Sequence, residues 1–167
     1  KKIQEAAGKQ LLLLGLFLDR MRIRKEDYME NLPYLYGQLL KAADELHELY
    51  CDVVRDGQKP QELVGSSMFR SVSESPLRML PVLSQRIMPY YAWAKVYRRK
   101  SDNENRKHAA RAGWLYRVCE QITTRLWNSQ TVPSRFNDEE KAQLFIGYLA
   151  SFSEKEMKLE EESNHES

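Results

Sequence analysis

Apolar residues Leu32, Leu35, Tyr36, Leu39, Leu40, Ala43, Leu46, Tyr50, Val53 and Val54 recur at steps of three and four, the period of one helix face. Asn31 before them is a good N-cap, Pro33 falls in the first turn, and Gly57 can close the far end. The pattern predicts an amphipathic core helix. A second helix, about Glu104 to Trp127, would bury Ala109, Ala112, Leu115, Tyr116, Cys119, Ile122 and Leu126. A third begins at Asn137, where Glu140 three residues on makes a capping box and Asp138 and Glu139 suit the positive end of the helix dipole. Its apolar face is Leu144, Phe145, Tyr148, Leu149 and Phe152.

The stretch between the first two helices is broken by turn residues. Asp56 to Pro60 reads as a turn, Gln61 to Phe69 as a short helix, and Ser71 to Ser75 as another break. Ser75 caps a helix that opens with Pro76 and buries Leu77, Leu80, Leu83 and Ile87. Pro81 is tolerated in the first turns, whereas Pro89 is deep enough to end or kink the helix near Met88. A second piece then runs from Pro89 to about Arg99. Ser101 to Asn105 is a polar loop ending in N-cap candidates, and Asn128 to Phe136 is a second loop.

At the N-terminus, Lys1 to Leu18 carries a partial 3.6 period that we read as a helix, although LLLLGLFL also fits a buried strand. Arg20 to Glu30 reads as a charged connection, with Met21 an alternative start site and a small basic cluster at Arg20, Arg22, Arg24 and Lys25. The absence of Met at position 1 fits a processed, truncated or internally started product. Beyond Ser153 the chain turns acidic, and residues 154–167 are expected to be a disordered tail. No stretch alternates with period two for long. The expected fold is therefore all-α, a single bundle of five to seven helices over residues 1–153, with residues 1–30 the least defined part.

Charge changes this picture more than composition does. A chain of 167 residues with 42% hydrophobic and 30% charged side chains can bury one ordinary core. The apolar run Leu11 to Leu18 is far too short to span a bilayer, and Asp19 and Arg20 follow it where a secretory signal would have small residues. Cys51 and Cys119 are isolated thiols, which suits a reducing cytoplasm. The net charge of +2 hides a division. Residues 1–64 carry 10 basic and 11 acidic side chains, residues 65–135 carry 13 and 4, and residues 136–167 carry 3 and 9. Lys95 to Arg111 alone holds seven basic residues and two acids. Solvated faces mix both signs; a one-signed field of this kind attracts polyanions and gives affinity without sequence readout.

Catalytic signatures are missing. The sequence has no phosphate-binding glycine loop and no HExxH, and its three histidines, His47, His108 and His165, are far apart. His47 and Cys51 lie one turn apart on the first helix, a spacing that suits two metal ligands, but no second pair accompanies them and a packed histidine is the plainer reading. No enzyme activity, cofactor or metal is expected. Tyr90, Tyr91, Trp93 and Tyr97 lie among the basic residues and fit either base stacking or helix core.

The segments YLYGQLLKAADELHELYC (Tyr34 to Cys51), GSSMFRSVSESPLRMLPVLSQRIMPYYAWA (Gly65 to Ala94) and EEKAQLFIGYLAS (Glu139 to Ser151), in that order, resemble the C-terminal helical region of the large subunit of type I CRISPR Cascade complexes, especially type I-C. In that family the region is also made as a separate small subunit. The resemblance covers about residues 32–152. It implies an all-helical, non-catalytic, cytoplasmic protein. Its partners would be the Cascade large subunit, the backbone subunits, further copies of itself and the R-loop formed by crRNA and target DNA. Arg70, Arg78, Arg86, Lys95, Arg98, Arg99, Lys100, Arg106, Lys107 and Arg111 are then the candidates for holding DNA backbone.

Overall fold

The computed structural model describes residues 31–100, 102–129 and 131–152. The expectations for Lys1 to Glu30 and for the tail beyond Phe152 lie outside the described residues. Five helices account for the fold: α1 (Leu32–Val54), α2 (Val64–Glu74), α3 (Pro76–Tyr97), α4 (Arg106–Asn128) and α5 (Asp138–Leu149). No strand occurs among the described residues, so the fold is an all-helical bundle.

Helix α1 is the hub, with α2, α3, α4 and α5 all packed against it. Its pattern predicts one apolar face, yet burial extends around its circumference to Gly37, Gln38, Ala42 and Asp44. A helix buried beyond its apolar face must satisfy the polar groups it buries. Tyr36 donates its hydroxyl to the Pro76 carbonyl (3.1 Å), and the Gln38 amide donates to the Gly147 carbonyl. Gly37 and Gly147 let the backbones of α1 and α5 touch. A Cβ at Gly37 would meet the Leu144 carbonyl, and one at Gly147 the Tyr34 carbonyl. The helix closes as its sequence predicts: the Arg55 and Gly57 amides both donate to the Cys51 carbonyl, at 3.0 and 3.2 Å, with Gly57 at φ +77°.

Helix α2 departs from expectation. It starts at Val64 and runs through Ser71–Glu74 without the expected break. Its N-cap residue Leu63 has no side-chain acceptor, and Asp44 of α1 takes that role. The Asp44 carboxylate accepts the Gly65 amide at 2.5 Å and the Ser66 amide at 3.0 and 3.1 Å. Serines that disfavour helix interiors are accommodated within it. Ser67 and Ser73 each donate to the carbonyl three residues back, at 2.8 and 2.7 Å.

Helix α3 is likewise one continuous helix through Pro89, not two pieces. Pro89 and Gln85, whose carbonyl loses its intrahelical donor, are both exposed, so water can satisfy that carbonyl. Leu83 and Ile87 before the proline and Ala94 after it remain buried and hold the two halves in line. Leu77 does not belong to the buried stripe; it is 55% exposed. Helix α4 buries all seven residues expected of it. Helix α5 carries the expected capping box, with Asn137 Oδ1 accepting the Glu140 amide and Glu140 Oε2 accepting the Asn137 amide, both at 2.8 Å. Of its expected apolar face Leu144 is buried and Phe145, Tyr148 and Leu149 are half-buried, while Phe152 is buried but lies beyond the helix, which ends at Leu149.

Candidate nucleic-acid interface

The end of α3 and the start of α4 lie side by side and bring the densest basic segment together. After Tyr97 the chain tightens. The Arg98 amide donates to the Ala94 carbonyl, Arg99 to Val96 and Lys100 to Tyr97, at 3.0, 3.2 and 3.0 Å. Arg98, Arg99 and Lys100 therefore stand at the negative end of the α3 dipole, where cations are stabilised. Asn105 occupies the N-cap position of α4 without capping it. Its side chain instead accepts from the Tyr97 hydroxyl at 2.9 Å and ties the two helices.

Arg106 and Lys107 then open α4, whose first turn holds no acid. Cations there oppose the positive end of the helix dipole and cost about 0.3–1 kcal/mol each when exposed. Asp102 offsets them from just outside the helix, its Oδ1 accepting the Asn105 amide at 2.9 Å.

Arg98, Arg99 and Arg117 flank a groove of about 360 Å³ floored by Ala109, Ala110 and Gly113. Small residues keep the floor low, and Gly113 in particular makes room for Arg98, whose Cβ lies 3.3 Å from where a Gly113 side chain would begin. The Arg98 guanidinium sits over the Tyr116 ring at 4.5 Å. Arg117 was not anticipated as a site residue. Burial, and after it the charge of Arg98, lower its guanidinium from its ordinary value. Its signal in the sequence is a row along one side of α4, Arg106, Ala110, Gly113 and Arg117, at steps of four, three and four.

The other candidates are spread out. Lys95 is exposed in the last turn of α3, and Lys100 lies 5.3 Å from the centre of the Tyr97 ring. Arg86 and Arg78 are also exposed on α3, about 18 and 30 Å along the axis from Arg98 at 1.5 Å per residue. Arg70 is exposed on α2, near Glu74. Glu74 is bonded to Lys141 and Arg135, each at 3.0 Å, and those two cations hold its carboxyl below the usual range. Arg111 is engaged within the fold, paired with Glu45 and stacked 4.3 Å over Trp114. Among the described residues Arg99, Arg106 and Lys107 have no ion pair.

The four aromatics pack against protein rings. Tyr90 stacks on His47 (4.4 Å), Tyr91 on Tyr116 (4.5 Å) and Trp93 on Tyr97 (4.8 Å), and Tyr50 meets Trp93 edge-on. His47 and Cys51 are both buried, and no group of three or more metal-ligating side chains occurs among the described residues. No helix among the described residues is long and apolar enough to cross a membrane. Comparison with protein-family models, curated proteins and solved structures finds no match.

Proposed function

We propose that the chain is a non-catalytic, cytoplasmic small subunit of a Cascade-type crRNA-guided complex. It holds DNA backbone without reading sequence, stabilises the R-loop, and contacts the large subunit, the backbone subunits and further copies of itself. The observation that carries the reading is the groove between α3 and α4, flanked by Arg98, Arg99 and Arg117, with Arg106 and Lys107 exposed in the first turn of α4. A trough with a small-residue floor and flanking arginines suits a phosphodiester chain. The test is titration of the full chain with single- and double-stranded oligonucleotides across a salt series. Salt-sensitive, sequence-independent binding that disappears when Arg98, Arg99, Arg106 and Lys107 become Glu supports the reading; unchanged binding in that variant removes it.

A second reading, an assembly module without nucleic-acid contact, is favoured by one feature. Leu77, Met88 and Trp127 are 55–56% exposed on α3 and α4, with Met88 and Trp127 on the rim of a cavity of about 390 Å³ between these helices. Co-purification with partner subunits that survives Trp127→Ala would count against it.

A further inference from the structure

We infer that the basic groove between α3 and α4 is also a docking surface for this chain's own acidic segment, residues 154–162. Charge complementarity is the first ground. The segment EKEMKLEEE holds five glutamates and two lysines, and the groove presents Arg98, Arg99 and Arg117 with Arg106 and Lys107 beside it.

The second ground is where the described chain leaves the bundle. Phe152 is buried, its ring edge-on to Trp114 at 5.2 Å. Lys41 Nζ lies 4.9 Å from the centre of the Phe152 ring and donates to the Ala150 carbonyl at 2.5 Å. Phe152 is thus fastened to α4 at Trp114, one turn from Arg117. Crossing from one flank of a helix to the other takes roughly 16 Å, half the circumference of a cylinder about 10 Å across. Five extended residues at about 3.3 Å each cover that distance, so Glu160, Glu161 and Glu162 can reach any point of the groove.

Tethering raises the local concentration of the segment to the millimolar range. Individually weak exposed ion pairs then give a contact that salt dissolves. A nucleic acid entering the groove competes with it for the same cations. The inference shares the groove with the nucleic-acid reading but does not depend on it.

The experiment places a nitroxide at Ser163→Cys of the full chain and follows the amide signals of Ala110 and Gly113. Cys51 and Cys119 are buried, so the label goes to position 163. Both signals are expected to broaden more at low salt than in about 1 M salt, where the Debye length is about 3 Å and only the tether near Trp114 keeps the label close. Replacing Glu160, Glu161 and Glu162 with Gln should cut the low-salt broadening to its high-salt level. Broadening that is equal at low and high salt, or unchanged by the triple replacement, overturns the inference. So does broadening of an isotope-labelled chain by a separate spin-labelled copy alone, which would assign the groove to a second molecule. Adding a single-stranded oligonucleotide separates the two readings. Binding with broadening reduced to its high-salt level supports both, whereas undiminished broadening without binding leaves the docking intact and removes the nucleic-acid function.

Discussion

The Tyr148 hydroxyl of α5 donates to Asp44 Oδ2 at 2.6 Å, and the same carboxylate caps α2 through the Gly65 and Ser66 amides. One buried side chain on α1 thus fixes the N-terminus of one helix and the side of another. Burial, then the hydrogen bond to Asp44, pushes the Tyr148 phenol up from its ordinary value. Asp44→Ala removes a cap worth about 0.5–2 kcal/mol and leaves buried donors unsatisfied at about 1–3 kcal/mol more. Tyr148→Phe removes one bond, about 1 kcal/mol. Urea unfolding should rank the variants in that order, and the double variant should lose less than the sum because both act through one carboxylate. An Asp44→Ala chain as stable as the parent would show that α2 needs no cap from α1.

The crossing of α1 and α5 makes a sharper demand. Ala at Gly37 or Gly147 must displace backbone carbonyl groups of the facing helix, and backbone has little room to yield. Each substitution is expected to destabilise by about 3 kcal/mol, the upper end for overpacking. Gly57→Ala is the control. It meets open space but has a φ of +77°, so the expected loss is about 1 kcal/mol from strain alone. Thermal unfolding of the three chains checks the contrast.

Much of this fold is legible in the sequence, and the exceptions share a cause. Helices α1, α4 and α5 carry their period locally, and α1 and α5 also carry an end locally, in Gly57 and in the Asn137 and Glu140 box. Helix α2 does not, because its cap comes from Asp44, some twenty residues away. The continuity of α3 through Pro89 is also tertiary, set by a solvent-facing proline between buried neighbours. The candidate site divides the same way. That residues 95–111 are basic is plain from the sequence, but which cations are engaged is not. Glu45 and Arg111 are 66 positions apart, and Lys141 is 67 from Glu74. Arg117 was missed because it sits among apolar positions of α4, where a lone arginine looks like the solvated edge of a core helix.

This division ranks the basic residues. Each phosphate contact with a single strand contributes about −0.7 to the slope of log affinity against log salt. Neutralising Arg98, Arg99, Arg106 and Lys107 to Gln should therefore flatten the slope by about 3. Arg78→Gln, about 30 Å along α3 from Arg98, should change neither slope nor stability. Arg111→Gln should act mainly on the fold, losing roughly 1 kcal/mol through its Glu45 pair and Trp114 stack while leaving the slope nearly intact. A slope that depends equally on Arg78 and Arg98 would mean that the groove is not the binding surface.

Thiol chemistry reports on the same core. Burial pushes the Cys119 thiol up to about 12, and Cys51 is 1% exposed. Neither should react with a maleimide at pH 8 until the bundle unfolds, because the thiolate is the nucleophile. Rapid native labelling, followed by peptide mapping, would contradict the packing of α3 against α4 at Cys119.

His47 gives the fold a pH dependence with a definite sign. Its ring is buried against Tyr90, its Nδ1 has no hydrogen-bond partner among the described residues, and Tyr90 also meets the edge of Tyr50. Burial lowers its imidazole from the ordinary value, Arg55 lowers it further, and Asp44 and Glu48 oppose them. Between the depressed folded value and the unfolded value of about 6.5 the unfolded chain binds more protons, so stability falls as the pH drops through that interval. It is fully retained above the interval. Glu74, whose folded carboxyl is depressed by Lys141 and Arg135, loses its contribution only at lower pH, below the ordinary carboxylate range, so the two windows separate. His47→Phe keeps a ring against Tyr90 and removes the titrating group without breaking a bond of Nδ1. Urea midpoints measured from pH 7.5 to 5.5 should fall for the parent chain and stay level for the variant. A parent chain that gains stability on acidification, or a variant that follows the same slope, would mean that His47 takes up its proton in the folded state.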